Sequence, residues 1–450
     1  MEVFLMNTVV TTKKGKIRGV EMDGYVLFKG VPYAKPPIGE LRWKAPQEAE
    51  AWDGTYAADQ FSCKPEQGGQ EDGSFYQKEF YENPEFLVPC SEDCLYLNIW
   101  MPADCREKKL PVAFWIHGGA FMGGFGSELE FDGEAYAKRG VILVTINYRL
   151  NVYGFLAHPW FSAENEQGIS GNYGTLDQIA ALNWVYENIE SFGGDPENIT
   201  VFGQSAGAMS VQTLVSSELT QNRIAKAILQ SGGSYGTGLH RDMPLSEAEE
   251  YGKKFVELTG AKNADELRKM TPEELAGPLG KMMGEMFTSG KGLVFVPNQD
   301  GYLLTQGYYE TIDQNKIKDI PYMIGSTKND IMVTEEELAA GKKGSLYEGC
   351  IAFSHRMEEL QGRPSYVYYF TRQMPGDDAG AFHSSELWYM FGTYPRCWRP
   401  LVPADAALSD RMMDYWTNFM KTGDPNGDGL PEWKPCTKDE AFVIGLDVAE

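Results

Sequence analysis

The chain has 450 residues, with 40 Lys and Arg against 64 Asp and Glu, and a formal charge of −24. A field of that sign repels nucleic acid and anionic membranes and gives no help to strongly anionic substrates, so no nucleic-acid partner is expected. The length is enough to bury a substantial core, and large α/β enzymes often keep one continuous sheet at this size.

The N-terminal stretch MEVFLMNTVV has an acid at position 2 and a short apolar run. It lacks the basic start and longer apolar core of a signal peptide. No run approaches the ~20 apolar residues of a membrane span, so no membrane partner is expected. The expected setting is cytoplasmic, with an exported form that has lost its leader as the alternative.

From there to about residue 118 the chain reads as strands and turns. VVTTKKGKIRGV, YVLFKGVPYA, LYLNIWMP and LPVAFWIHGG are β-rich and bounded by Gly, Pro or Asp. At 141 the pattern changes to strand–helix alternation. VILVTINYR is a buried strand, LDQIAALNWVYENIESFG a helix, ITVFG a strand, AMSVQTLVSS a helix and IAKAILQSG the next strand. That rhythm predicts a parallel or mixed sheet with helices on its faces. Residues 245–290 predict helices broken by Gly and Pro, read as a cap inserted into a single domain. IPYMIGST and SYVYYFTR predict further strands, and LSDRMMDYWTNFMKTGDP a helix stopped by Gly423 and Pro425.

Seven cysteines (Cys63, Cys90, Cys94, Cys105, Cys350, Cys397 and Cys436) show no Cys-x-x-Cys spacing and no Cys/His cluster. Reduced thiols are expected, with no metal and no cofactor.

The chemistry-bearing stretch is NITVFGQSAGAMSVQ, where a strand runs into Gly203-x-Ser205-x-Gly207 and then a helix. A serine hydroxyl is a weak nucleophile and needs a base, an oxyanion trap and an exposed position. Small residues on both sides of Ser205 suit a sharp strand-to-helix turn that projects the side chain from the sheet. Upstream, WIHGGAFMGG follows a strand, and its glycines leave backbone N–H groups uncovered, as an oxyanion site requires. A phosphate loop would need a Gly-Lys-Ser/Thr ending, which is absent.

Five histidines are candidates for the base. His117 and His158 precede the serine, His240 follows it too soon, and His355 lies in a helical pattern. His383, in DDAGAFHSSELW beyond a strand, is the candidate base. Asp330 is the first carboxylate past IPYMIGST and is the candidate acid. Asp300, Asp313 and Asp319 are rivals that precede that strand.

FKGVPYAKPPIGELRWKAP (28–46), SEDCLYLNIWMP (91–102), GNYGTLDQIAALNWVYENIESFGGDPENITVFGQSAG (171–207) and DYWTNFMKTGDPN (414–426) resemble the landmarks of the type B carboxylesterases. These form the cholinesterase-like branch of the α/β-hydrolases, and the resemblance runs nearly end to end. It implies an α/β fold class: an α/β-hydrolase fold with a mixed, mostly parallel sheet, helices on both faces and a helical cap. It implies Ser205, Asp330 and His383 as nucleophile, acid and base, and the N–H groups of Gly119, Ala120 and Ala206 as the oxyanion hole. It also implies buried ion pairs Arg42–Glu92 and Arg149–Asp177, and a role for Ser231 beside the triad. Cys63 and Cys94 match a pair that forms a disulfide in secreted members.

Three residues depart from the family pattern: Asp330 for the usual Glu, Ala120 for a third glycine, and Gln204 for a Glu. The segment 331–364 is also shorter than in many relatives. The expected activity is hydrolysis of short-chain or aryl esters, by a monomer or weak homodimer acting on a small-molecule ester. A polysaccharide-directed acetyl or feruloyl esterase and a non-catalytic binding protein are the alternatives. Phe121, Met122, Trp388, Tyr389 and Phe391 flank the catalytic segments and are candidate pocket residues. Met282, Met283 and Met286 of the cap are read as pocket or core.

Overall fold

In the computed structural model, which describes residues 8–69, 72–105, 108–239 and 243–448, ten strands form one sheet. His240 and the first seven residues of the N-terminal stretch lie outside the described residues. In chain order the strands are β1 (Val20–Glu21), β2 (Tyr25–Pro32), β3 (Tyr96–Pro102), β4 (Leu110–Ile116) and β5 (Ile142–Ile146). They continue as β6 (Gly194–Gln204), β7 (Lys226–Gln230), β8 (Tyr322–Thr327), β9 (Tyr366–Phe370) and β10 (Ile444–Leu446). Across the sheet the order is β10-β9-β8-β7-β6-β4-β5-β3-β2-β1. The pairs among β1, β2, β3 and β5 are antiparallel, and every pair from β5 and β4 through β10 is parallel. This is the mixed, mostly parallel sheet expected.

Side-chain alternation with period two explains why both faces are covered. Along β4, Val112, Phe114 and Ile116 enter one core while Ala113 and Trp115 enter the other. In register with them, Ile199 and Val201 of β6 join the first core, and Phe202 the second. A strand buried on both sides reads as a continuous apolar run, as VILVTI and ITVF do.

Helices close each face. α1 (Phe75–Phe80) comes before the parallel strands. On the first face lie α2 (Tyr173–Asn188) and α3 (Ala206–Ser216), then the excursion α4 (Leu245–Thr259), α5 (Ala264–Lys269) and α6 (Pro272–Thr288), and α7 (Ser345–Gln361). On the second face lie α8 (Leu387–Met390) and α9 (Pro403–Thr422), the latter ended by Gly423 in the left-handed region. No described helix is long and apolar enough to cross a membrane.

Two buried ion pairs tie the loops to this frame. Arg149 donates Nε and Nη2 to Asp177 at 2.8 and 2.7 Å. Arg42 pairs with Glu92 and donates Nη1 to the carbonyls of Arg268 (3.0 Å) and Met270 (2.6 Å). The second pair therefore pins the helical excursion to the N-terminal segment. Breaking such a pair strands a buried charge, so these arginines hold loops in place. Met282, Met283 and Met286 of α6 are buried in the first core. Cys63 and Cys94 are both free thiols.

Candidate active site

Ser205 occupies the turn between β6 and α3, with φ 56° and ψ −122°. This left-handed conformation is costly for a residue with a Cβ, and such strain persists only where the surroundings over-determine it. Here they do. The Ser205 N–H donates to the Gln230 carbonyl at 2.8 Å. A Cβ on Gly207 would stand 2.1 Å from the Ile116 carbonyl oxygen, so the first turn of α3 lies directly on the end of β4. The small residues of the motif are required by this close approach.

The turn after β4 forms the facing wall. Gly119 has φ +94°, and a Cβ there would meet the Gly123 oxygen at 2.2 Å. Its carbonyl accepts from the N–H groups of Met122 (2.9 Å) and Gly123 (3.0 Å), while Ala120 and Phe121 also lie at positive φ, 59° and 60°. Among the described residues no main-chain carbonyl receives the N–H of Gly119 or Ala120. The N–H of Ala206 belongs to the first turn of α3, where helical amides have no intrahelical acceptor. These three amides are the expected oxyanion donors, and Gly119 and Ala120 line the same cavity as Ser205.

The acid and the histidine come from loops beyond β8 and β9. A bridge between Asn329 and Phe382 joins the two loops, and Asn329 exchanges hydrogen bonds with Ala381 at 2.9 and 3.0 Å. Behind it, His383 Nδ1 lies 2.5 Å from Asp330 Oδ1. Asp330 also accepts from Ser231 Oγ (2.7 Å), Thr327 N (2.9 Å) and Ile331 N (2.9 Å), so its orientation is fixed from several sides. Burial alone would lower the His383 pKa. The Asp330 charge and hydrogen bond outweigh burial and hold it above the ordinary 6.5.

The other residues considered from sequence have other partners. His117 is buried, stacks on Tyr148 at 4.5 Å and is pushed down to about 4 by burial. His158 caps a helix by accepting from the Trp160 N–H at 3.1 Å, and His355 lies in α7. Asp300 caps the turn at Tyr302 and Leu303, Asp313 accepts from Tyr235 and Arg356, and Asp319 from Arg363.

Gln204 is buried, with Nε2 3.2 Å from His383 Nε2. With Nδ1–H donated to Asp330, Nε2 carries the lone pair, so Gln204 donates to it. The amide thus holds the ring nitrogen a serine base would use, in its neutral, accepting form. The Ser205 hydroxyl, half-buried, makes no side-chain hydrogen bond among the described residues. Catalytic contacts of this kind are often loose before substrate enters.

The surrounding cavity, about 340 Å³, is lined by Tyr76, Phe80 and Tyr81 near α1, the Gly118–Ala120 turn, Glu128, Glu130 and Phe131, and Ile331, Ser384 and Leu387. This corrects the pocket expected from sequence. Trp388, Tyr389 and Phe391 are fully buried in the second core. Trp388 donates Nε1 to Glu79 at 2.9 Å, Tyr389 its hydroxyl to Asp405 at 2.7 Å, and Phe391 packs edge-on against Trp115 at 5.0 Å. The short helix α8 turns those rings toward the sheet and leaves Leu387 at the cavity. Phe121 is fully buried beside Met209 of α3, and Met122 lines a separate cavity with Leu275 and Met283 of α6. No residue of 245–290 lines the triad cavity, so the excursion is an accessory layer beside it.

A glycine-flanked serine on a strand–helix elbow of a mixed sheet, with an acid and a histidine on loops after later strands, defines an α/β-hydrolase. Residues 6–349 and 344–449 match the model of the carboxylesterase family. The chain belongs to that family and is a carboxylic-ester hydrolase by class. Fumonisin B1 esterase of Sphingopyxis macrogoltabida is 39% identical over 326 residues, covering 71% of this chain and 55% of that protein. Para-nitrobenzyl esterase of Bacillus subtilis is 32% identical over an alignment of 489 residues, covering 98% of this chain and 95% of that one. Among solved structures, a thermophilic PNB esterase superposes with a TM-score of 0.84 at 30% identity, over 98% of this chain and 96% of its own. A carboxylesterase of Geobacillus stearothermophilus gives 0.78 at 32% identity with the same coverage.

Proposed function

We propose that the protein hydrolyses short-chain or aryl carboxylic esters through an acyl-enzyme, with Ser205 as nucleophile, His383 as base and Asp330 as its orienting acid. The observation that carries this reading is the 2.5 Å contact between His383 Nδ1 and Asp330 Oδ1, on a ring that lines the same cavity as Ser205. His383 takes the hydroxyl proton as Ser205 Oγ attacks the ester carbonyl. The oxyanion is held by the amides of Gly119, Ala120 and Ala206. The imidazolium returns the proton to the departing alcohol. Water then attacks the acyl-serine with the same proton transfers, releasing acid and free enzyme. The aromatic side chains of Tyr76, Phe80, Tyr81 and Phe131 favour a compact apolar or aryl group.

A fluorophosphonate probe is expected to attach to the intact protein once per chain, and peptide mass spectrometry should locate it on Ser205. Labelling of another residue, or none in a preparation that hydrolyses esters, would overturn the assignment.

The pH profile gives a separate check. A protonated His383 cannot accept the serine proton, so activity rises as the ring deprotonates. With its pKa held above 6.5, the acidic limb of kcat/KM is expected above pH 6.5. Gln204→Glu sets a carboxylate beside Nε2, which favours the imidazolium and should move the limb up by about one pH unit. A limb that stays in place in this variant would mean that side chain 204 does not govern the ring.

A further inference from the structure

The turn that carries the Gly119 and Ala120 amides closes through the Gly123–Gly124 peptide. That link has glycine on both sides, so its own chain restrains it little. Yet Gly119 rests directly on it. A Cβ on Gly119 would stand 2.2 Å from the Gly123 oxygen and 3.3 Å from the Gly124 nitrogen. Gly124 in turn lies against the start of the turn, where a Cβ would meet the Gly118 oxygen at 2.9 Å. Where the amides of Gly119 and Ala120 point therefore depends on how that peptide is set.

The half-buried side chain of Gln67 sets it from behind. Gln67 Oε1 accepts from the Gly124 N–H at 2.9 Å, and Nε2 donates to the Gly124 carbonyl at 3.0 Å. Among the described residues no other hydrogen bond reaches either group. One side-chain amide thus satisfies both main-chain groups of Gly124, as a neighbouring strand would. The glutamine is itself held. Its Nε2 also donates to the Pro65 carbonyl at 3.1 Å. The Glu66 carbonyl accepts from Asn151 Nδ2 at 2.8 Å, and the Asn151 N–H donates to the Phe121 carbonyl at 2.7 Å. Asn147 donates Nδ2 to the Cys63 carbonyl at 3.1 Å and accepts from the Gly126 N–H at 2.7 Å. Residues 63–67 therefore brace the turn at Phe121, Gly124 and Gly126, and none of them lines the cavity of Ser205 and His383.

We infer that Gln67 is a positioning residue for the oxyanion hole, acting through Gly124 on the amides of Gly119 and Ala120. This rests on the ester-hydrolase reading above. The bound ester offers these amides a neutral carbonyl, whereas the tetrahedral intermediate puts a negative charge on the same oxygen. A turn that has lost its clamp therefore costs the transition state more than the substrate, and the loss falls on kcat.

The test uses the full-length protein and an aryl ester at about pH 8, above the ordinary carboxyl range. Active sites are counted by the fluorophosphonate label, so that unfolded protein does not enter the rates. Gln67→Ala removes both bonds to Gly124 and is expected to lower kcat by about 100-fold, the loss that a displacement of about 1 Å produces, while KM changes by less than about threefold. Gln67→Glu keeps the size and the bond from the Gly124 N–H, but turns an acceptor toward the Gly124 and Pro65 carbonyls. It should lower kcat by at least about tenfold, and it decides the question where Gln67→Ala fails to fold. The second readout is an aryl trifluoromethyl ketone. Ser205 Oγ bonds to its carbonyl carbon, the serine proton passes to His383, and the ketone oxygen becomes the oxyanion. Its affinity should fall by the same factor as kcat, whereas the matching methyl ketone, which stays trigonal, should bind parent and variants alike. A kcat within about threefold of the parent in either variant would overturn the assignment. So would a rise in KM alone, a loss matched by fewer labelled sites, or a loss of kcat that leaves the trifluoromethyl ketone affinity in place. Each of these outcomes leaves the ester-hydrolase reading standing. A parent protein that neither hydrolyses the ester nor binds the trifluoromethyl ketone would overturn both readings together.

Discussion

Replacing Ser205 with alanine is expected to lower kcat for an aryl ester by about five to six orders of magnitude, with a much smaller change in KM. The substitution is a clean one. Ser205 is held at φ 56° by its N–H bond to Gln230 and by the packing of α3 on β4, and neither depends on the hydroxyl. Alanine has the same Cβ and therefore the same backbone strain. The cavity wall, the exposed amides of Gly119 and Ala120, and the His383–Asp330 contact all remain, so the ester still binds. What is lost is the oxygen that becomes acylated, and with it the fluorophosphonate label. Rates within tenfold of the parent in a preparation free of other esterases would remove Ser205 from the mechanism.

The sheet was legible because burial on both faces leaves a plain signature. VILVTI and ITVF are apolar at every position but one buried threonine each, and β4 and β6 contribute side chains to both cores. The elbow was legible because only small residues fit where Gly207 meets Ile116. Order along the chain singled out Asp330 and His383, since loops after successive parallel strands of one sheet come together at its carboxyl edge.

The cavity wall was not legible, for a different reason. Whether a side chain at a strand or loop end faces a cavity or a core depends on long-range packing, and sequence proximity to His383 says little about it. Trp388, Tyr389 and Phe391 are its near neighbours and all turn into the second core. Tyr76 is more than 300 residues away and donates its hydroxyl to the His383 carbonyl at 3.2 Å. Glu128 and Glu130 did leave a trace, as two of the three acids in GGFGSELEFDG, set beside Leu129 and Phe131, where carboxylates are seldom buried without cause. Gln204 stood out in sequence as a departure from relatives. Its meaning follows from the 3.2 Å approach to His383, because a neutral amide leaves Nε2 as an acceptor where a carboxylate would favour its protonation.

Asp330→Asn is expected to lower kcat by about 10⁴-fold, the loss seen when a triad acid becomes an amide. The local hydrogen bonds show why an amide cannot fit quietly. Oδ1 faces both His383 Nδ1 and the Ile331 N–H, and Oδ2 faces both Ser231 Oγ and the Thr327 N–H. An NH₂ in either position points at a main-chain donor. In one orientation it also faces Nδ1 and drives the ring to the tautomer whose Nε2 carries the proton and cannot accept from serine. In the other the tautomer survives, but a main-chain N–H is stranded and the imidazolium loses its countercharge. The pH profile of the residual activity separates this account from general damage. Burial lowers the His383 pKa and Asp330 raises it, so removing the carboxylate should carry the acidic limb below pH 6.5. Glu386 is the competing acid. It is fully buried, adds its negative charge near His383, and is itself pushed up to about 7 by burial and by the charge of Asp330. Its side chain accepts a long hydrogen bond from Gln230 Nε2 at 3.5 Å, and among the described residues it forms none to the ring. If Asp330→Asn cost less than tenfold and left the limb above pH 6.5, the orienting role would pass from Asp330 to Glu386.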